Sequence, residues 1–95
     1  VEDGYYRSWY PDGSPQMKVV LRKGKWDGKY TYRYENGKLK EEIDYNDGIK
    51  DGRFTFWYNN GEKSEHGSYN MGKKDGLNII WFPNGQKQEE ILYSQ

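Results

Sequence analysis

Residues 27–50 read DGKYTYRYENGKLKEEIDYNDGIK. Tyr30, Tyr32 and Tyr34 alternate with polar residues, the period-2 pattern of a strand with one apolar face. Asn36-Gly37 follows, and both residues tolerate positive φ, so a hairpin turn is expected there. Leu39, Glu41, Ile43 and Tyr45 then alternate again, and Asp47-Gly48 marks a second reversal. The stretch therefore predicts a β-hairpin with a joint at each end.

The same unit recurs every 24 residues. Asp-Gly stands at 3–4, 27–28, 51–52 and 75–76, and turn glycines stand at 13, 37, 61 and 85, each after Asp or Asn. A third column holds Gly24, Gly48 and Gly72, which leaves Gly67 as the one glycine outside the three columns. Such periodicity decides the architecture before any local reading does. Four units follow, at 3–26, 27–50, 51–74 and 75–95. Connections of about five to seven residues are too short for a helical crossover, so the strands must run antiparallel. The expected fold is all-β: an antiparallel meander of about eight strands from four 24-residue hairpins, without a helix, in an elongated single-layer or curved sheet.

The turn at 35–38 fits a two-residue type I′ turn or a three-residue loop with a bulge, and the choice decides which side chains share a face. Pro11 and Pro83 stand where Glu35 does. Proline suits the first corner of a type I turn, which favours the bulged loop in every unit. In the third unit Gly67 replaces the Val19, Ile43 and Ile91 of the others, marking a weakened strand or a bulge. Asn78 stands where Tyr6, Tyr30 and Phe54 stand.

Composition sets the remaining bounds. Seventeen aromatics outnumber the fourteen Val, Leu, Ile and Met residues, and there is no alanine. That is too little aliphatic material for a thick core, so neighbouring units must stack and aromatic rings must supply the area. Low hydrophobicity with 32% charged residues is also the composition of disorder, but residues in register across four units argue against it. Net charge is zero overall, yet runs +3, −1, +1 and −2 through the four units. A basic end and an acidic end speak against nucleic-acid binding. Without cysteine there is neither a disulfide framework nor thiolate chemistry. No apolar run approaches the ~18 residues of a membrane span, and no signal peptide is visible. The chain starts two residues before a unit boundary without a methionine and stops three residues before the next, as a processed product or a piece of a longer array would.

The units resemble MORN-type repeats, most closely the variant found in bacterial antitoxin-like proteins. The likeness lies in Tyr34-Glu35-Asn36-Gly37 and Tyr58-Asn59-Asn60-Gly61, in Lys-Leu-Lys-Glu-Glu at 38–42, and in Tyr-x-x-Gly-x-x-Asp-Gly at 45–52 and 69–76. The first unit departs most, with Pro15 in place of Leu39 and Leu21 in place of the joint tyrosine. The resemblance implies a sheet of hairpins and a role in protein binding. In some members that means toxin neutralisation, and in others phospholipid contact is proposed.

No residue pattern points to catalysis. Asp27, Asp51 and Asp75 share a column that could be read as a cation ladder, but the plainer reading is a turn-former before glycine. Glu41, Glu65 and Glu89 share another, read as a solvated strand face, since a general acid/base pair needs two unlike environments. His66, the sole histidine, reads as a surface residue. No metal site and no cofactor is expected.

Trp9, Trp57 and Trp81 share a column in which Arg33 is the exception. They are expected on one side of the sheet, about two strand spacings apart. They form either a stripe that grips a partner or a ladder with Arg33 stacked between indoles. Trp26 lies in a basic loop, where Lys50 and Lys74 stand in later units. It is either a further partner anchor or a ring folded back on the sheet.

The leading function is thus a non-catalytic protein-interaction module, antitoxin-like or scaffolding. Its candidate partner-binding residues are Trp9, Arg33, Trp57, Trp81 and Trp26. The alternative is a module for anionic lipid or cell-wall glycan, using the aromatics and the basic loop 22–25. An antitoxin-like role would place the chain in the cytoplasm, a lipid or glycan role at the cell surface. Oligomeric state is left open.

Overall fold

The computed structural model describes residues 3–94. It contains one open antiparallel sheet and no helix. The strands are β1 (Gly4–Trp9), β2 (Pro15–Arg22), β3 (Lys25–Trp26), β4 (Gly28–Arg33), β5 (Leu39–Asn46), β6 (Ile49–Trp57), β7 (Lys63–Asn70), β8 (Lys73–Lys74), β9 (Gly76–Trp81) and β10 (Lys87–Tyr93). The order across the sheet is β1-β2-β4-β5-β6-β7-β9-β10, with the two-residue β3 and β8 pairing on β2 and β7. This is the expected meander. Its extents are 40 × 36 × 10 Å, so it is one layer thick. In plan it is nearly as broad as it is long, because eight strands at ~4.8 Å spacing about match the length of one hairpin.

The two edges of this tile use different turns. At one, Gly37 N–H donates to Tyr34 O (3.0 Å) and Tyr34 N–H to Lys38 O (2.8 Å), and the register slips between Tyr32 and Arg33. This is the three-residue loop with a bulge, and it repeats at Tyr10, Tyr58 and Phe82. Gly37 takes φ 88°, where a side chain would be strained. The Asx column has its own cause, since Asn36 Oδ1 accepts from Lys38 N–H (2.9 Å) and closes the loop. At the other edge the joints are tighter than expected. Lys23-Gly24, Asp47-Gly48 and Met71-Gly72 are two-residue turns with both residues at positive φ, the type I′ geometry. The recurring aspartates hold these turns: Asp27 Oδ1 accepts from Asp47 N–H (3.0 Å), and Asp3 and Asp51 serve Lys23 and Met71 in the same way. Asp3, Asp27 and Asp51 each fasten the joint that ends their own unit as well as preceding their own glycine.

Parity along the strands separates two faces. Across one runs the row Val19, Tyr30, Ile43, Phe54, Gly67 and Asn78, all buried, with Val19 at 0%, Phe54 at 1% and Asn78 at 2% exposure. Register places Tyr30 against Ile43, Ile43 against Phe54 and Phe54 against Gly67. The row is covered by Trp26, Tyr32, Tyr45, Phe56 and Tyr69 from the same face. Gly67 is no bulge. It pairs regularly, and a Cβ there would meet Phe54 Cε1 at 2.9 Å and crowd Asn78 Oδ1. The missing side chain is what lets a phenylalanine and a buried amide share the row.

Gly67→Ala should therefore destabilise the chain by about 1–3 kcal/mol through overpacking. Gly37→Val should cost more than about 1 kcal/mol through strain at positive φ. Thermal melting reads both, and an unchanged midpoint for either variant would contradict the geometry assigned to it.

Candidate functional site

Trp9, Arg33, Trp57 and Trp81 lie on the face opposite the buried row. Each ends the first strand of its unit and pairs with Pro15, Leu39, Lys63 and Lys87 respectively. They sit on β1, β4, β6 and β9, so successive members are two strands apart. Trp9 is exposed and the other three are half-buried. Two shallow grooves cross the row. One of about 220 Å³ lies between Trp9 and Arg33, with Arg7, Pro15, Lys18 and Thr31. The other, of about 350 Å³, lies between Trp57 and Trp81 over Lys63. Arg33 is not stacked between indoles: its Nη1 donates to Gly37 O (2.9 Å), which ties the guanidinium to its own turn. The ladder reading loses its bridging contact.

The backbone of the row is anchored from the other face. Tyr34 donates its hydroxyl to Trp57 O (2.7 Å), Tyr58 to Trp81 O (2.7 Å) and Tyr10 to Arg33 O. Asn36 Nδ2 donates to Asn59 O (3.0 Å) and Asn60 Nδ2 to Pro83 O (3.0 Å), strapping one turn to the next. The tyrosine column was visible in the sequence as part of the turn motif. Its partner was not, because it lies 23 residues on.

Trp26 does not join the row. It packs on the tyrosine face, stacked on Tyr30 (5.2 Å, 15°) and edge-on to Tyr45 (5.1 Å). Lys50 lies over Tyr69 (5.2 Å) and Lys74 over Tyr93 (5.7 Å) at the equivalent places. The column covers the next unit's joint tyrosine, with a ring in the first unit and a cation in later ones. Trp26 is therefore the ring folded back on the sheet, on the wrong face to share a surface with Trp9 or Trp57.

The titratable groups are engaged in structure. Glu41 and Glu65 lie among aromatics rather than on a solvated face. Tyr30 donates to Glu41 (3.2 Å), and burial, then that carboxylate, pushes the Tyr30 hydroxyl far up. Glu65 Oε2 accepts from Lys74 (3.1 Å) and Asn78 (3.0 Å). Burial is the largest single influence on Lys74 and opposes its charge, but the hydrogen bond and charge of Glu65, with Tyr93 and Tyr69, together outweigh it and hold the pKa above the usual range. In the basic loop, Arg22 meets Asp27 (3.4 Å) and Lys25 meets Asp47 (3.7 Å). His66 is half-buried on the tryptophan face, with Nδ1 2.8 Å from Thr55 Oγ1. Burial first, then Lys63 and Arg53, lowers its pKa. Among the described residues no three His, Cys, Asp or Glu side chains are placed to hold a metal ion.

Residues 2–21, 26–47, 50–71 and 74–95 each match the family model described as MORN repeat variant. The chain belongs to the MORN repeat variant family. MORN repeats are generally protein- or lipid-interaction modules, and the family is typically non-catalytic. No curated protein and no solved structure matches the chain. The MORN matches start one residue before each unit read from the glycine columns, at the same 24-residue spacing, so family and glycine columns agree on phase.

A depressed His66 pKa sets a sign for pH dependence. As pH falls, the unfolded chain takes up the proton first, near the ordinary value of about 6.5. Stability should therefore drop from there down to the folded midpoint and level off below it. NMR titration of the histidine should give a midpoint below about 6.5, and His66→Gln should remove that part of the pH dependence. A midpoint at or above the ordinary value would contradict the half-buried, Thr55-bonded placement.

Proposed function

We propose that this chain is a protein-binding MORN module whose partner lies across the tryptophan face, over Trp9, Arg33, Trp57 and Trp81. One contrast supports this reading. Trp26 makes two close ring contacts inside the sheet, whereas Trp57 and Trp81 make no ring or cation–π contact among the described residues. The fold uses their backbone carbonyls and leaves the indoles over. Half-buried tryptophans and Arg are among the residue types that dominate protein interfaces. Grooves this shallow suit an extended partner better than an enclosed small molecule.

An antitoxin-like role, with a toxin protein as the partner, is the narrower form of this reading and rests on the likeness of the turn and joint motifs. Binding of anionic lipid or cell-wall glycan through loop 22–25 is less well supported, since Asp27 and Asp47 already neutralise Arg22 and Lys25. Trp57→Ala is the central test. It should weaken partner binding by ~2 kcal/mol or more while leaving the melting temperature close to wild type, because the straps use the carbonyl. A partner is isolated by pull-down from the native source, in parallel with liposome and glycan pull-downs. A variant that unfolds makes the row structural, and one that binds normally moves the surface to the tyrosine face. Retention on liposomes or glycan without a protein partner would favour the alternative.

A further inference from the structure

The groove between Trp9 and Arg33 is cationic. It lies on the face of three paired strands, β1, β2 and β4. Arg7, Lys18 and Arg33 line it, and no carboxylate does. Among the described residues none of these cations makes an ion pair. Other grooves of the sheet hold acids beside their cations. Glu62 stands beside Lys63, Glu42 and Asp44 beside Lys29 and Arg53, and Asp27 and Asp47 beside Arg22 and Lys23.

The repeat shows that the fold does not need this charge. Lys18 pairs with Arg7 on one side and with Thr31 on the other. At the place of the Arg7–Lys18 pair, the later units hold Thr31–Glu42, Thr55–His66 and Ile79–Glu90. None of these opposes like charges, which destabilise a sheet when they stand directly across from each other. The first unit alone does so, and uncharged groups hold its cations in place. Lys18 Nζ lies 4.9 Å from the Tyr5 ring, and the Arg7 guanidinium lies 5.8 Å from Tyr5 and 5.9 Å from Trp9. Ring faces attract a cation without cancelling its charge. Arg33 is likewise oriented by a neutral acceptor, the Gly37 carbonyl, through one of its N–H groups.

We infer that this groove takes an acidic segment of the protein partner, with its carboxylates set among Arg7, Lys18 and Arg33. The inference rests on the tryptophan-face reading and gives that partner its chemistry. A guanidinium meets a carboxylate through two parallel N–H bonds, the strongest pairing open to either group. Trp9 and Pro15 supply an apolar wall for the aliphatic stems of the acidic side chains. The positive patch is short. On the same face Glu42 and Asp44 line the next groove. A nucleic-acid strand or an anionic membrane lays negative charge over those carboxylates as well, whereas a short acidic segment does not.

Binding of fluorescein-labelled hexaglutamate to the 95-residue chain tests it, against hexaglutamine, inorganic phosphate, phosphatidylserine vesicles and oligothymidylate. Hexaglutamate should bind more tightly than any of these, weaken as salt is added and shift the NMR signals of Arg7, Lys18 and Arg33. Lys18→Glu should weaken binding on the order of tenfold. The same variant should hold or raise the melting temperature, because it turns a like-charge pair with Arg7 into an opposite one. Lys73→Glu changes the net charge equally at an exposed position on β8, away from the groove, and should bind normally. The isolated protein partner should also bind Lys18→Glu more weakly. Normal capture of that partner by Lys18→Glu, with capture lost in Trp57→Ala, would overturn the inference and leave the tryptophan-face reading standing. Normal capture by Trp57→Ala would remove both. Hexaglutamine or phosphate bound as tightly as hexaglutamate, the second meaning an adventitious ion only, would overturn the inference. So would tighter binding to the vesicles or to oligothymidylate.

Discussion

The cross-strand row Val19, Tyr30, Ile43, Phe54, Gly67 and Asn78 is the interaction on which the rest depends. A sheet 10 Å thick has no second layer to lay over its apolar residues, so each must be covered by neighbours in the same sheet. Burial of a residue such as Phe54 contributes about 1.5–3 kcal/mol, and it is reached only when the units on both sides are in place. A single hairpin of this type cannot bury its own centre. Gly67 and Asn78 show how tightly the row is fitted. One unit gives up a side chain so that the next can bring in an amide, whose nitrogen is taken up by Glu65.

The units are joined by side chains as much as by strand pairing. A tyrosine hydroxyl and an asparagine amide each reach from one unit to backbone of the next at the bulged turns, and an aspartate carboxylate at the start of a unit closes the type I′ joint at its end. All three use short or rigid side chains, so little rotamer freedom is lost for each bond formed. The result is a division of labour between faces. The tyrosine face and the turns carry the fold. On the opposite face Arg33, Trp57 and Trp81 are held by their carbonyls, and the Trp57 and Trp81 rings make no aromatic contact among the described residues.

Much of this was legible from the glycine columns alone: the hairpins, the meander, the bulged turns and the placing of Trp9, Arg33, Trp57 and Trp81 on one side. Those features follow from local chemistry, a positive φ here and a two-residue alternation there, repeated four times. What was not legible lies between units. Tyr34 and Trp57 are far apart in sequence, and only the strand order brings hydroxyl to carbonyl. The Glu41 column looked solvated because its neighbours along the strand are charged. Glu89 is exposed, but Glu41 and Glu65 pair with Tyr32, Phe56 and Ile80 across the strands and accept bonds from Tyr30 and Asn78. Trp26 was undecided for the same reason: its place depends on Tyr30 and Tyr45, which belong to the following unit. Gly67 taken alone signals weakness, and only next to Phe54 and Asn78 does it become a fitted contact.

If the row is the shared core, protection of backbone amides must be graded along the sheet and not repeated hairpin by hairpin. Native-state hydrogen exchange on dilute protein measures this directly. The slowest amides should lie on β4, β5, β6 and β7 beside Tyr30, Ile43 and Phe54, exchanging together in one opening, with protection falling away towards β1 and β10. Four hairpins of equal protection that open separately would contradict a core shared between units.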